Sequence, residues 1–164
     1  MLDYIGLHRM IKKLDENSAT YPDHVGWRLW AASRAWQSAF VDGMRAAGHG
    51  WMTDARATLL AHIARGGTPQ SAIADRMGIT KQAVQQLVDG LVADEILERI
   101  PDPDDRRGRI IRHTPRGLAA MRHADRVKQT IEEAARSRIG DRAFDCMMAD
   151  LASLVDHFRA REPG

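Results

Sequence analysis

Apolar residues recur along this chain mostly with a helical period. Ile5, Met10, Ile11 and Leu14 line one face of a short amphipathic stretch, Tyr4 to Leu14, and Asn17 to Tyr21 read as a loop. Pro22-Asp23 opens a long helix in which Trp27, Trp30, Ala31 and Arg34 share a face, and Gly48 and Gly50 end it. Thr53-Asp54 caps the next helix, which carries Leu59, Leu60 and Ile63 and is expected to stop at Gly66-Gly67. Thr68-Pro69, a capping hydroxyl before a proline, predicts the start of a short helix closed by Gly78. Thr80 caps a further helix running to about Asp94, with Val84, Leu87, Val88 and Leu91 as its apolar stripe.

The period then changes. Ile96 to Ile100 and Arg109 to His113 alternate as two strands around the turn-rich tip Pro101 to Gly108. Thr114-Pro115 restarts helix, and two long helices follow, Arg116 to Ile139 and Asp141 to Arg159, parted at Gly140. The tight turn Met77-Gly78-Ile79 between two short helices reads as a helix-turn-helix. The second helix of such a unit enters the major groove by its N-terminal end, where amide side chains can pair with adenine edges. Thr80, Lys81, Gln82, Gln85 and Gln86 are the candidates there, with Ser71 on the preceding helix.

Charge sharpens this reading by its distribution. The net charge is only +2, but six arginines (99, 106, 107, 109, 112 and 116) crowd the hairpin. An arginine-rich loop suits phosphate or a narrow minor groove. Hydrophobic residues make up 44% and charged residues 28%, which suits a globular domain rather than a disordered chain. No apolar run reaches the ~20 residues of a membrane span, and Met1 to Leu14 is too charged for a signal peptide. A cytoplasmic location is expected, with no membrane partner. Cys146 stands alone and reads as a buried small hydrophobe. The seven histidines show no metal-ligand spacing. Neither a phosphate loop nor a nucleophile motif is present, so no enzyme, cofactor or metal is expected.

The segment from Thr68 to Val84 resembles the helix-turn-helix of MarR-family regulators, and Glu98 to Arg109 resembles the family's wing. Thr114-Pro115-Arg116-Gly117 matches the entry into the helix after the wing. The resemblance implies a mainly α fold with a small β-wing. A winged helix-turn-helix domain (51–115) would be flanked by dimerisation helices, 1–50 with an N-terminal extension and 116–164. It implies that Asp105 steadies the wing tip by an ion pair and that Arg107 enters the minor groove, with Arg106 and Arg109 as further contacts. The sequence departs from the family pattern at Gln86, where a basic residue is common, and at Gly90, inside the recognition helix. Glu95 stands at a position usually glycine, and His113 at one usually apolar.

The partners so implied are a palindromic duplex operator, a second copy of the chain and a small-molecule effector. Leu118, Met121, Val127 and Ile131, then Phe144, Met147, Met148, Leu151, Leu154, Val155 and Phe158, supply apolar surface beyond a lone winged helix. Trp27, Trp30, Arg34, Trp51, Arg56 and His62 are the candidate effector-binding residues, an aromatic wall with cations suited to a planar carboxylate. The function expected is a transcriptional regulator, a repressor released by its ligand. An architectural DNA binder and a winged-helix protein-interaction module remain open alternatives at this stage.

Overall fold

The computed structural model describes residues 24–105 and 108–160. The chain divides into two compact units, Met1–Val127 and Lys128–Gly164. Arg106, Arg107 and the stretch 1–23, with its expected helix, loop and Pro22-Asp23 start, lie outside the described residues. No helix among the described residues is long and apolar enough to cross a membrane.

In the first unit, α1 spans Val25–Ala46, with the Trp27 N–H donating to the His24 Nδ1 cap at 3.2 Å. Its buried side chains, Phe40, Val41 and Met44, all lie near its C-terminal end. Helix α2 spans Asp54–Ala61, and the Thr53 hydroxyl accepts the Arg56 N–H at 3.3 Å. It stops well short of Gly66-Gly67. The cause is Thr68, whose hydroxyl accepts the Ala64 N–H at 2.9 Å and donates to the His62 carbonyl at 3.3 Å. This ties 62–68 into a loop that still buries Ile63.

Thr68 therefore does not cap the helix that follows, as its sequence suggested. With its hydroxyl turned back, Thr68–Pro69 forms a two-residue strand, β1. Proline lacks an N–H and is tolerated at a sheet edge, which is where β1 lies. Helix α3 spans Gln70–Met77 and ends at Gly78, whose φ of +62° is the left-handed conformation that glycine adopts without steric cost. Helix α4 spans Lys81–Ala93, with the Thr80 hydroxyl accepting the Ala83 N–H at 3.1 Å.

Strands β2 (Leu97–Pro101) and β3 (Arg109–His113) pair antiparallel, Leu97 opposite His113 and Pro101 opposite Arg109. Strand β3 also pairs with β1, Thr68 opposite Ile111. The sheet is therefore three-stranded, order β1-β3-β2, where a two-stranded hairpin was expected. One core gathers Leu59, Ile73, Val84, Val88, Leu91, Ile96, Leu97 and Ile111. Each such burial contributes about 1.5–3 kcal/mol, so this cluster dominates the stability of the unit.

Helix α5 spans Pro115–Ile139. The Thr114 hydroxyl accepts the Gly117 N–H at 3.0 Å and donates to the Glu95 carbonyl at 2.6 Å. A Cβ at Gly117 would stand 2.1 Å from the Ile96 carbonyl oxygen, so helix and strand meet here at backbone contact.

In the second unit, the end of α5 turns at Gly140 into α6, Asp141–Arg159. Arg136 holds this turn. It reaches Asp145 at 2.7 Å and Asp141 at 3.5 Å, and its guanidinium lies 4.3 Å from the Phe144 ring centre. Met147, Met148, Val155 and Phe158 are exposed along α6. Cys146 is exposed as well, contrary to expectation. It falls on the solvent side of an amphipathic helix whose one buried side chain is Phe144.

Candidate nucleic-acid interface

The capped start of α4 projects Lys81, Gln82, Gln85 and Gln86 to solvent. The Thr80 hydroxyl accepts the cap bond and so starts the helix at a fixed residue, while its own O–H keeps its capacity to donate. A cleft of about 350 Å³ opens between α3, α4 and the wing. Ser71 from α3, Lys81 and Gln85 from α4, and Asp105 and Arg109 from the wing share its walls. Four candidate contacts and the candidate wing-stabilising Asp105 thus come together from segments separated in sequence. Gln82 and Gln86 are exposed beside them.

The wing tip is built from its own backbone. The Gly108 N–H donates to the Asp105 carbonyl at 2.8 Å, and the Asp104 N–H donates to the Asp102 carboxylate at 3.0 Å. Arg109 donates back to the Gly108 carbonyl at 2.9 Å while remaining exposed. The ion pair expected between Asp105 and Arg107, and the groove contact of Arg106, involve residues outside those described.

Sequence reasoning missed a polar chain that crosses this surface. Gln70 donates to Gln85 Oε1 at 2.5 Å, and Gln85 Nε2 donates to Asp89 Oδ1 at 2.9 Å. Arg99 on β2 donates to the same carboxylate oxygen at 2.5 Å. The Gln85–Asp89 step is an i, i+4 helix pair and was legible from spacing. Gln70 and Arg99 join it only through the tertiary fold.

The candidate effector residues fall into groups with contacts of their own. Trp27 and Trp30 stack at 4.8 Å between ring centres, and Arg34, farther along α1, reaches Asp54 at 3.6 Å. Trp51 meets the His49 ring edge-on and packs against the core. Arg56 donates to the Trp51 carbonyl at 2.9 Å and pairs with Asp94 at 2.8 Å. His62 is the C-cap of α2 and offers its carbonyl to Thr68. A Cβ at Gly90 would stand 2.5 Å from the Arg56 Nη2, the far end of a flexible side chain, which would have to move aside.

Two histidines are electrostatically perturbed. His49 Nε2 lies 2.7 Å from His123 Nδ1, so one ring must offer a lone pair to the other's N–H. Burial, then His123, then Arg116 hold the His49 pKa below the usual histidine value. His113 is buried with neither ring nitrogen hydrogen-bonded, and burial lowers its pKa. Glu95 adopts φ +58°, the conformation for which glycine is usual there.

Residues 52–108 match the model of the MarR family. No curated protein matches the chain. Among solved structures, wild-type MarR from E. coli in its apo form superposes with a TM-score of 0.70 at 16% identity, covering 82% of this chain and 98% of that one. A MarR-family transcriptional regulator from Rhodococcus sp. RHA1 gives 0.64 at 21% identity, covering 79% and 91%. A probable transcriptional regulator from Pseudomonas aeruginosa gives 0.63 at 22%, covering 80% and 97%. The latter two are described as transcriptional regulators. The core, the wing and the cleft occupy the matched segment or adjoin it, and the likeness to these solved structures is one of fold, a winged helix.

Proposed function

We propose that this chain is a sequence-specific DNA-binding transcriptional regulator, acting as a homodimer on a palindromic operator. The observation that carries the reading is the shared cleft. It sets amide and cationic side chains of α4 beside the wing's Arg109, the combination needed to read base edges and hold phosphate together. Ser71, Lys81, Gln82, Gln85, Gln86 and Arg109 are the proposed contacts. Resemblance adds Arg106 and Arg107, with Asp105 steadying the tip and Thr80 fixing the helix start.

Exposed apolar side chains support the dimer in each unit separately. Trp30 and Trp36 lie on α1, and Met147, Val155 and Phe158 on α6. Repression and release by a small aromatic or acidic ligand complete the proposal. The stacked Trp27–Trp30 pair with Arg34 on the same helix is its chemical basis.

Selection of bound duplexes from a random pool tests the reading. The expected product is a palindrome with half-sites about one helical turn apart. Arg109→Ala is expected to weaken binding to all duplexes alike and to flatten the salt slope by about one unit. Equal affinity for selected and random duplexes would leave an architectural binder, and no DNA binding would leave a protein-interaction module. For the ligand, aromatic carboxylates are expected to quench tryptophan emission and lower operator affinity together, and indifference of both rejects that part.

A further inference from the structure

We propose that Gln85 is the base-reading residue of this interface, and that Gln70, Asp89 and Arg99 are positioning residues that fix which end of its amide faces which way. The inference rests on the DNA-binding reading above and goes further by naming the reader, the base and the residues that act through it.

The argument begins with the hydrogen-bonding inventory of an amide. A free glutamine side chain can turn over, exchanging its donor and acceptor ends. It then presents an ambiguous pattern to a base edge. In this chain that freedom is removed from both ends. Asp89 accepts hydrogen bonds and cannot donate when ionised, so the end of Gln85 that faces it at 2.9 Å must be Nε2. Arg99, paired to the same Oδ1, directs that oxygen. At the other end, Gln70 donates to Oε1 at 2.5 Å. The donors run in one sense, from Gln70 to Gln85 to Asp89, with Arg99 closing the chain from the wing strand.

Capacity remains for a ligand. Gln85 has two N–H groups and two lone pairs, and these contacts use one of each. One donor and one acceptor are left on an exposed side chain that lines the cleft. That pair matches the adenine edge, which offers the N6 donor and the N7 acceptor in the major groove. It does not match guanine, which presents two acceptors there. A held amide also loses less rotamer freedom on docking than a free one. The carboxylate of Asp89 would itself be a cytosine acceptor if free, but its Oδ1 already receives both Gln85 and Arg99.

The test is random-pool selection with the full chain, comparing wild type with Asp89→Asn and Gln70→Ala. Asparagine has the same shape at an exposed site but can donate, so Gln85 regains both orientations. The wild type is expected to show one base pair per half-site with a strong adenine preference. Both variants should lose roughly tenfold discrimination there and keep their preferences elsewhere, as Gln85→Ala should. Unchanged preferences at the other positions report that each variant is folded and docked. Total affinity is not the readout, because Asp89→Asn also removes a negative charge facing phosphates.

Superimposable preferences for wild type and Asp89→Asn overturn the positioning role while leaving sequence-specific binding intact. A preference for cytosine that depends on Asp89 and not on Gln85 makes the carboxylate the reader, and overturns the proposal too. A wild type that selects no sequence removes this inference together with the DNA-binding reading.

Discussion

The α4–wing face and the N-terminal half of α1 both present polar and apolar side chains to solvent, but they are held in different ways. On the first, side chains from α3, α4 and β2 are bonded to one another, and the helix beneath buries Val84, Val88 and Leu91. On the second, Trp27 and Trp30 stack on each other. Trp30 is 52% exposed, and α1 buries its residues only from Phe40 onward. A surface over-determined from within one chain is ready to read a rigid partner. A surface whose aromatics are exposed in the single chain has area still to give to another molecule.

The largest expected effect lies under the first region. Gly117→Val places side-chain atoms against the Ile96 carbonyl and forces α5 away from the sheet. A loss of about 3 kcal/mol in urea unfolding is expected, with the proposed DNA binding weakened because the wing shifts. A loss below about 1 kcal/mol would mean that this joint is not rigid.

His113 gives the next effect, and it depends on pH. Its pKa in the folded chain lies below the ordinary histidine value of 6.5, so the unfolded chain takes up the proton first. Stability from this site is full above 6.5 and is lost as pH falls below it. His49 acts with the same sign, from burial and from its cationic neighbours. His113→Leu removes two buried nitrogens without hydrogen bonds and is expected to raise stability by about 1 kcal/mol. Unfolding midpoints at about pH 5.5 and about pH 7.5 should differ less in the variant than in the wild type.

Glu95→Gly is a smaller change. It relieves a left-handed backbone at φ +58° and gives up only the exposed pair with Arg116. A gain under about 1 kcal/mol is expected from the thermal midpoint. Arg34→Gln on α1 is the smallest. Its pair with Asp54 is solvent-exposed at 3.6 Å, and a change within about 0.5 kcal/mol is expected. A larger loss there would bring the α1 face closer in character to the wing face.

What the sequence made legible was local. Thr80, Gly78 and Thr114 act through partners within a few residues, and the boundaries near them follow from the sequence. The strand character of Thr68–Pro69 depends on Ile111 and Ile110, some forty residues away, and local capping rules pointed to a helix. The site divides in the same way. Lys81, Gln85 and Arg109 stand out in the sequence by type and spacing, whereas Gln70 and Arg99 reach this surface only because the fold brings α3 and β2 alongside α4. The six proposed ligand residues share chemistry in the sequence, but Arg56 turns out to bind Trp51 and Asp94 across the fold.

Arg56 and Gly90 also constrain how this protein can change. Alanine at position 90 should favour α4 by about 1 kcal/mol, but its methyl group would stand 2.5 Å from the Arg56 Nη2, so this flexible side chain has to move aside. Moving it loosens its hold on Asp94, so part of the helical gain is given back. The effects of changing positions 56 and 90 are therefore expected to be non-additive, with Gly90→Ala gaining more where position 56 is short. Two residues far apart in sequence thus share one energetic term.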